Sequence, residues 1–105
     1  MEEIKKQRGN IGNISEKSKT EYKKMTGEEL TITALRLLPY LLFQAIDQQP
    51  IRRERVTKEE KEILRLFTNK NLCICYPFFR EVTFKNKDFY CLLAEILFEG
   101  YVLEE

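Results

Sequence analysis

Three thiols, six closely spaced cations and a dense group of aromatic rings are where this 105-residue chain could do chemistry. Cys73 and Cys75 form a Cys-x-Cys pair, and Cys91 is a third thiol. Together they supply three corners of a tetrahedral metal site, but a structural site takes four ligands and usually spaces its thiols Cys-x2-4-Cys. Each thiol stands among large hydrophobes, so buried, structural cysteines are expected, and no cofactor or metal is assigned. An odd number of cysteines in a chain that opens without an apolar signal segment points to the reducing cytoplasm. Histidine is absent altogether, which removes Ser-His-Asp and Cys-His catalysis and the usual proton shuttle near neutral pH. Ser15 and Ser18, the only serines, have no nucleophile-elbow context, and Gly9, Gly12, Gly27 and Gly100 make no phosphate-cradling loop. Glu59, Glu60 and Glu62 fall on one charged segment and Glu95 with Glu99 on another, so no carboxylate pair suggests acid–base work. A non-enzymatic protein with no evident small-molecule substrate is the expectation.

The cations are Arg52, Arg53, Arg55, Lys58, Lys61 and Arg65, a layout that can neutralise several phosphates. Glu54, Glu59, Glu60 and Glu62 are interleaved and cut the local charge to +2, so a salt-bridged surface explains the same residues. Over the whole chain 18 Lys and Arg stand against 17 Asp and Glu. A net charge of +1 argues against a basic nucleic-acid coat or an acidic mimic of one. Tyr76, Phe78, Phe79, Phe84, Phe89 and Tyr90 crowd together in sequence. Interleaved Arg80, Lys85 and Lys87 would suit a base-stacking platform, but such density reads first as core. Phe78 and Phe79 follow Pro77 and cannot both point inward from an extended segment. At least one becomes a candidate interface anchor, together with Tyr90 and Phe98 farther along.

Several elements must position these groups. Residues 1–24 are poor in large apolar side chains, carry seven basic and four acidic residues, and are expected to be a flexible charged tail. Residues 25–105 are read as one helical domain. Thr26-Gly27-Glu28-Glu29 fits a capping box and predicts a helix over 27–48, kinked at Pro39, with a polar line Glu29, Thr33, Arg36, Tyr40, Gln44 and Asp47. Thr57-Lys58-Glu59-Glu60 makes a second box and predicts a helix over 58–68, stopping at Asn69-Lys70-Asn71. Leu72 to Tyr76 and Phe79 to Lys85 read as short strands. Asn86 caps a last helix over 87–99 that Gly100 ends with left-handed backbone. The fold class is therefore mainly α, about three helices with a short two-stranded β element.

The passage from a capped helix near Thr57 to a later helix ending in Leu97-Phe98-Glu99-Gly100-Tyr101-Val102 resembles the way winged-helix domains run from their third helix into a wing. A degenerate winged-helix α+β fold is the structural alternative that resemblance implies. The last helix departs from a groove-reading helix in being mostly apolar.

Leu30 to Ile46 holds twelve hydrophobes in seventeen residues and Phe84 to Leu103 thirteen in twenty. The first stretch is too short, and too interrupted by Arg36, Pro39 and Gln44, to cross a bilayer. A domain of this size cannot easily surround two such helices, so their surplus apolar surface should be covered by another chain. The expected function is a small protein-interaction module, an adaptor, regulator or inhibitor, acting on a protein partner or as a homodimer. The alternative is a nucleic-acid-binding regulator using the six cations.

Overall fold

The computed structural model describes residues 11–75 and 81–101. These form four α-helices and one two-stranded antiparallel sheet: α1 (Glu16–Thr26), α2 (Ile32–Ile46), α3 (Lys58–Asn69), β1 (Cys73–Ile74), β2 (Thr83–Phe84) and α4 (Lys87–Tyr101). Short 3-10 turns at Ile11–Asn13 and Arg53–Arg55 precede α1 and α3.

The expected tail is corrected from Ile11 onward: residues 11–24 are part of the fold, and residues 1–10 lie outside the described residues. The four residues of the 14–26 segment that turn fully inward are Ile14, Ser18, Tyr22 and Thr26, one every fourth position, as a helix face requires. Two of the four are small hydroxyl residues, so a count of large apolar groups misses the stripe. Burial leaves neither hydroxyl unsatisfied. Thr26 Oγ1 donates to the Tyr22 carbonyl at 2.8 Å, and Ser18 Oγ donates to Glu99 Oε2 at 3.4 Å. The Glu99 carboxylate also accepts from the Ser15 backbone N–H at 3.0 Å, placing a negative charge at the N-terminus of α1 where the helix dipole favours it.

Gly27, at φ +84°, terminates α1, and its N–H donates to the Lys23 carbonyl at 2.7 Å. That left-handed conformation suits glycine and breaks the single helix expected over 27–48. The expected Thr26 capping box is replaced by Thr31, whose side chain accepts from the Ala34 N–H at 3.2 Å and starts α2 at Ile32. Glu29, assigned to the box, instead pairs with Lys23 at 2.9 Å.

α2 continues through Pro39. A proline has no N–H to give the carbonyl four residues back, so Leu35 loses its regular partner. The Tyr101 hydroxyl, from the end of α4, donates to that carbonyl at 3.1 Å. The helix interruption written at Pro39 is thus sealed by the last described residue. α3 has the expected capping box: Thr57 Oγ1 accepts from the Glu60 N–H and Glu60 Oε1 accepts from the Thr57 N–H at 2.8 Å.

Among the described residues the strands are confined to Cys73 paired with Phe84 and Ile74 with Thr83, while Tyr76, Phe79 and Arg80 of the expected strands lie outside the described residues. Asn86 caps α4 as expected, its Oδ1 accepting from the Phe89 N–H at 3.1 Å. α4 runs two residues beyond its expected end, and Gly100 lies inside it. The glycine is needed there for space: a Cβ would come within 3.1 Å of Leu35 Cδ1 and 3.2 Å of Ile14 Cδ1. The order is helix, helix, helix, hairpin, helix, so among the described residues the sheet precedes the last helix and does not follow it as the winged-helix resemblance implied.

One core holds the elements together. Leu35, Leu38 and Leu41 of α2, Leu64 and Phe67 of α3, and Phe89, Leu93 and Ile96 of α4 are fully buried. Phe67 packs edge-on against Phe89 at 5.0 Å and against Tyr22 at 6.3 Å between ring centroids.

Candidate functional site

α2 and α4 lie side by side and antiparallel. Tyr101 meets Leu35 at one end, while at the other Ile46 and Tyr90 line one shallow concavity of about 340 Å³ with Phe84 and Val82. The inward faces are spent on the core. On α2, Arg36, Phe43 and Ile46 are exposed, as is Asp47 at its C-terminal cap, with Pro39 and Tyr40 half-buried between them. On α4 the exposed side carries Lys87, Tyr90, Cys91, Ala94 and Phe98.

Four large apolar side chains on this outer face stand in solvent: Phe98 is 73% exposed, Phe43 and Ile46 each 65%, and Tyr90 38%. Tyr90 is the most anchored of them, its ring edge-on to Phe84 at 5.0 Å. Tyr90 and Phe98 are interface candidates expected from the sequence; Phe43 and Ile46 are not. Gln44, expected on the polar line of α2, is half-buried, and its Nε2 donates to the Pro50 carbonyl at 2.7 Å. The missed signal is the row Arg36, Pro39, Phe43, Ile46, whose three- and four-residue steps parallel the polar line one position away. Phe78 and Phe79 lie outside the described residues.

The cations gather around the turn before α3. Arg52, Arg53, Arg55, Lys58 and Arg65 are exposed and Lys61 is half-buried. Much of this charge is engaged. Arg52 Nε pairs with Glu54 at 3.2 Å, the Arg55 guanidinium sits 5.2 Å above the Tyr40 ring, and Arg65 lies 4.0 Å from Glu62. Tyr40 also accepts through its hydroxyl from the Arg52 N–H at 2.9 Å, so the turn is pinned to α2. A hydrogen bond from its own backbone, and then one from Arg52, hold the Glu54 carboxyl below its ordinary value.

The thiols divide. Cys73 and Cys75 are buried as expected, and Cys75 Sγ donates to the Leu64 carbonyl at 3.5 Å. Hydrogen bonding to Cys75 and burial push the Cys73 thiol well above its ordinary value, keeping it protonated and unreactive. Cys91 is corrected: it is exposed, on the outer face of α4. Among the described residues no three His, Cys, Asp or Glu side chains are grouped to hold a metal ion.

A second concavity, of about 430 Å³, opens between α1 and α3, lined by Tyr22, Glu28, Glu29, Glu62 and Arg65. Glu29 is paired with Lys23 and Glu62 with Arg65, which leaves Glu28 as the acidic group of the lining outside these pairs. Comparison of the chain with protein families, characterised proteins and solved structures finds no match.

Proposed function

We propose that this is a small non-enzymatic protein-interaction module, an adaptor, regulator or inhibitor, that binds a protein partner through the outer face of α2 and α4. The observation carrying the reading is the exposure of Phe43 and Ile46 on α2 and of Tyr90 and Phe98 on the neighbouring α4. Contiguous apolar patches of a few hundred Å² on single chains commonly mark interaction sites, and exposed aromatics are the residues that anchor them. Action by occlusion or recruitment needs no reacting group, only this surface held rigid by the core beneath it. Free thiols in all three cysteines fit a reducing compartment, and we place the protein in the cytoplasm on that ground. Among the described residues no helix is long and apolar enough to cross a membrane.

The test is capture of partners by the tagged chain from its host lysate, with and without nuclease, followed by binding measurements on the protein recovered. The Phe43→Ser/Phe98→Ser double variant should weaken that binding by at least tenfold, each buried aromatic anchor being worth about 1–2 kcal/mol or more, while affinity changes little between low and moderate salt. Loss of all recovered protein on nuclease treatment, with binding that falls steeply as salt rises, would instead assign function to Arg52, Arg53, Arg55, Lys58, Lys61 and Arg65.

A further inference from the structure

The outer face of α2 and α4 is self-complementary, and we propose that its occupant is a second copy of this chain, docked about a two-fold axis that runs across both helices. The inference rests on the reading of that face as an interaction surface and names the partner.

Along α4 the exposed positions Tyr90, Ala94 and Phe98 are spaced by four. An axis crossing α4 at Ala94 therefore sets Tyr90 of one copy against Phe98 of the other, twice, with the smallest side chain of the row where the helices meet. Because Leu35 lies beside Tyr101 and Ile46 shares a concavity with Tyr90, Ala94 stands about level with Leu42 on α2. The same axis then crosses α2 next to Leu42 and brings Arg36 of each copy opposite Asp47 of the other. Both charges are exposed at the two ends of the α2 row, and neither forms an ion pair with another described residue. One rotation thus pairs aromatic with aromatic and cation with anion, as an isologous interface demands.

Area sets the strength. Each helix has 15 residues, about 22 Å of length at the usual rise, and two helices side by side span about 20 Å. An outline of roughly 450 Å² per copy is below the ~800 Å² each partner contributes to a standard interface, so the dimer should be of micromolar affinity.

The test is sedimentation velocity of the full chain from micromolar to near-millimolar concentration, for the wild type, Arg36→Asp, Asp47→Arg and an equimolar mixture of the two variants. The wild type should dimerise reversibly. Each variant alone places like charges opposite each other twice and should dimerise roughly tenfold more weakly or worse. The mixture should recover wild-type affinity, since in the mixed dimer one contact is the native pair and the other is the same pair with its two charges exchanged. Phe98→Ser, which keeps every charge, should also abolish the dimer. A wild type that stays monomeric throughout overturns the proposal while leaving the protein-partner reading standing, because that reading is decided by the captured partner. A dimer indifferent to both charge reversals, or a mixture that fails to recover, overturns it as well.

Discussion

α2 and α3 meet in the same core yet stand in opposite relation to solvent. α3 buries Leu64 and Phe67 and turns Lys58, Glu59, Glu62 and Arg65 outward, so its surface is finished by its own side chains. α2 buries six residues and still leaves Phe43 and Ile46 in water. An amphipathic helix explains itself; a helix apolar on both sides leaves unexplained area, and here α4 extends that area with Tyr90 and Phe98. The difference teaches where to look for function: the charged segment around α3 is largely neutralised locally, whereas no described element covers the outer faces of α2 and α4.

The largest expected effect separates inward from outward aromatics. Phe67→Ala removes a fully buried ring from contact with Tyr22 and Phe89 and should destabilise the fold by about 3–5 kcal/mol. Phe98→Ser, at a position 73% exposed, should stay within about 0.5 kcal/mol of wild type. Urea denaturation of both variants checks the contrast. Equal losses would mean that Phe98 belongs to the core and the outer face is not free for a partner.

A smaller effect tests how α2 tolerates its proline. If the Tyr101 hydroxyl serves the carbonyl that Pro39 leaves without its helical donor, Tyr101→Phe should cost about 1–2 kcal/mol, the penalty of an unsatisfied, mostly desolvated acceptor. In a Pro39→Ala background the backbone N–H restored at that position can take the carbonyl, and the same Tyr101→Phe change should cost about a few tenths of a kcal/mol. Equal costs in the two backgrounds would show that the hydroxyl and the proline act independently.

How far the sequence discloses all this follows from the same contrast. α3 is legible because its cap, its stripe and its stop are written in residues of strong preference: Thr57 and Glu60 close a box, and Asn71 takes the left-handed φ of 60° just past the end. α1 is hidden because Ser18 and Thr26 occupy core positions, and their satisfaction depends on Glu99 and on local carbonyls that no periodicity reveals. The start of α2 is misplaced because Thr26 and Thr31 both resemble caps; Gly27 decides between them by ending α1 instead of opening α2. Gly100 looks like a terminator and is a packing contact, a distinction set by Leu35 and Ile14 from elsewhere in the chain. Of the outer face, Tyr90 and Phe98 are visible as excess apolar residues on α4. Phe43 and Ile46 are not, since a helix so rich in hydrophobes gives no phase until its neighbours choose which side to cover.

The smallest effect concerns the α3 side, where Tyr22 packs its ring on Phe67 and lines the cleft between α1 and α3. Tyr22 is 2% exposed, and burial, with a further contribution from the Glu28 charge, pushes its hydroxyl pKa above the ordinary value. A tyrosine is neutral when protonated, so a raised pKa means that the folded chain holds the proton more tightly than the unfolded one. The stabilisation is complete below the unfolded value near pH 10 and is lost as pH rises above it, by about 1 kcal/mol at one unit higher. Tyr22→Phe keeps the ring and removes the titrating group. Its urea midpoint should correspond to a stability within about a few tenths of a kcal/mol of wild type at pH 8. Above pH 10 it should exceed the wild type, whose unfolded state alone gains by releasing the Tyr22 proton. Parallel midpoints across that range would show that Tyr22 ionises freely in the fold, and that the cleft beside α3 is wetter than its burial implies.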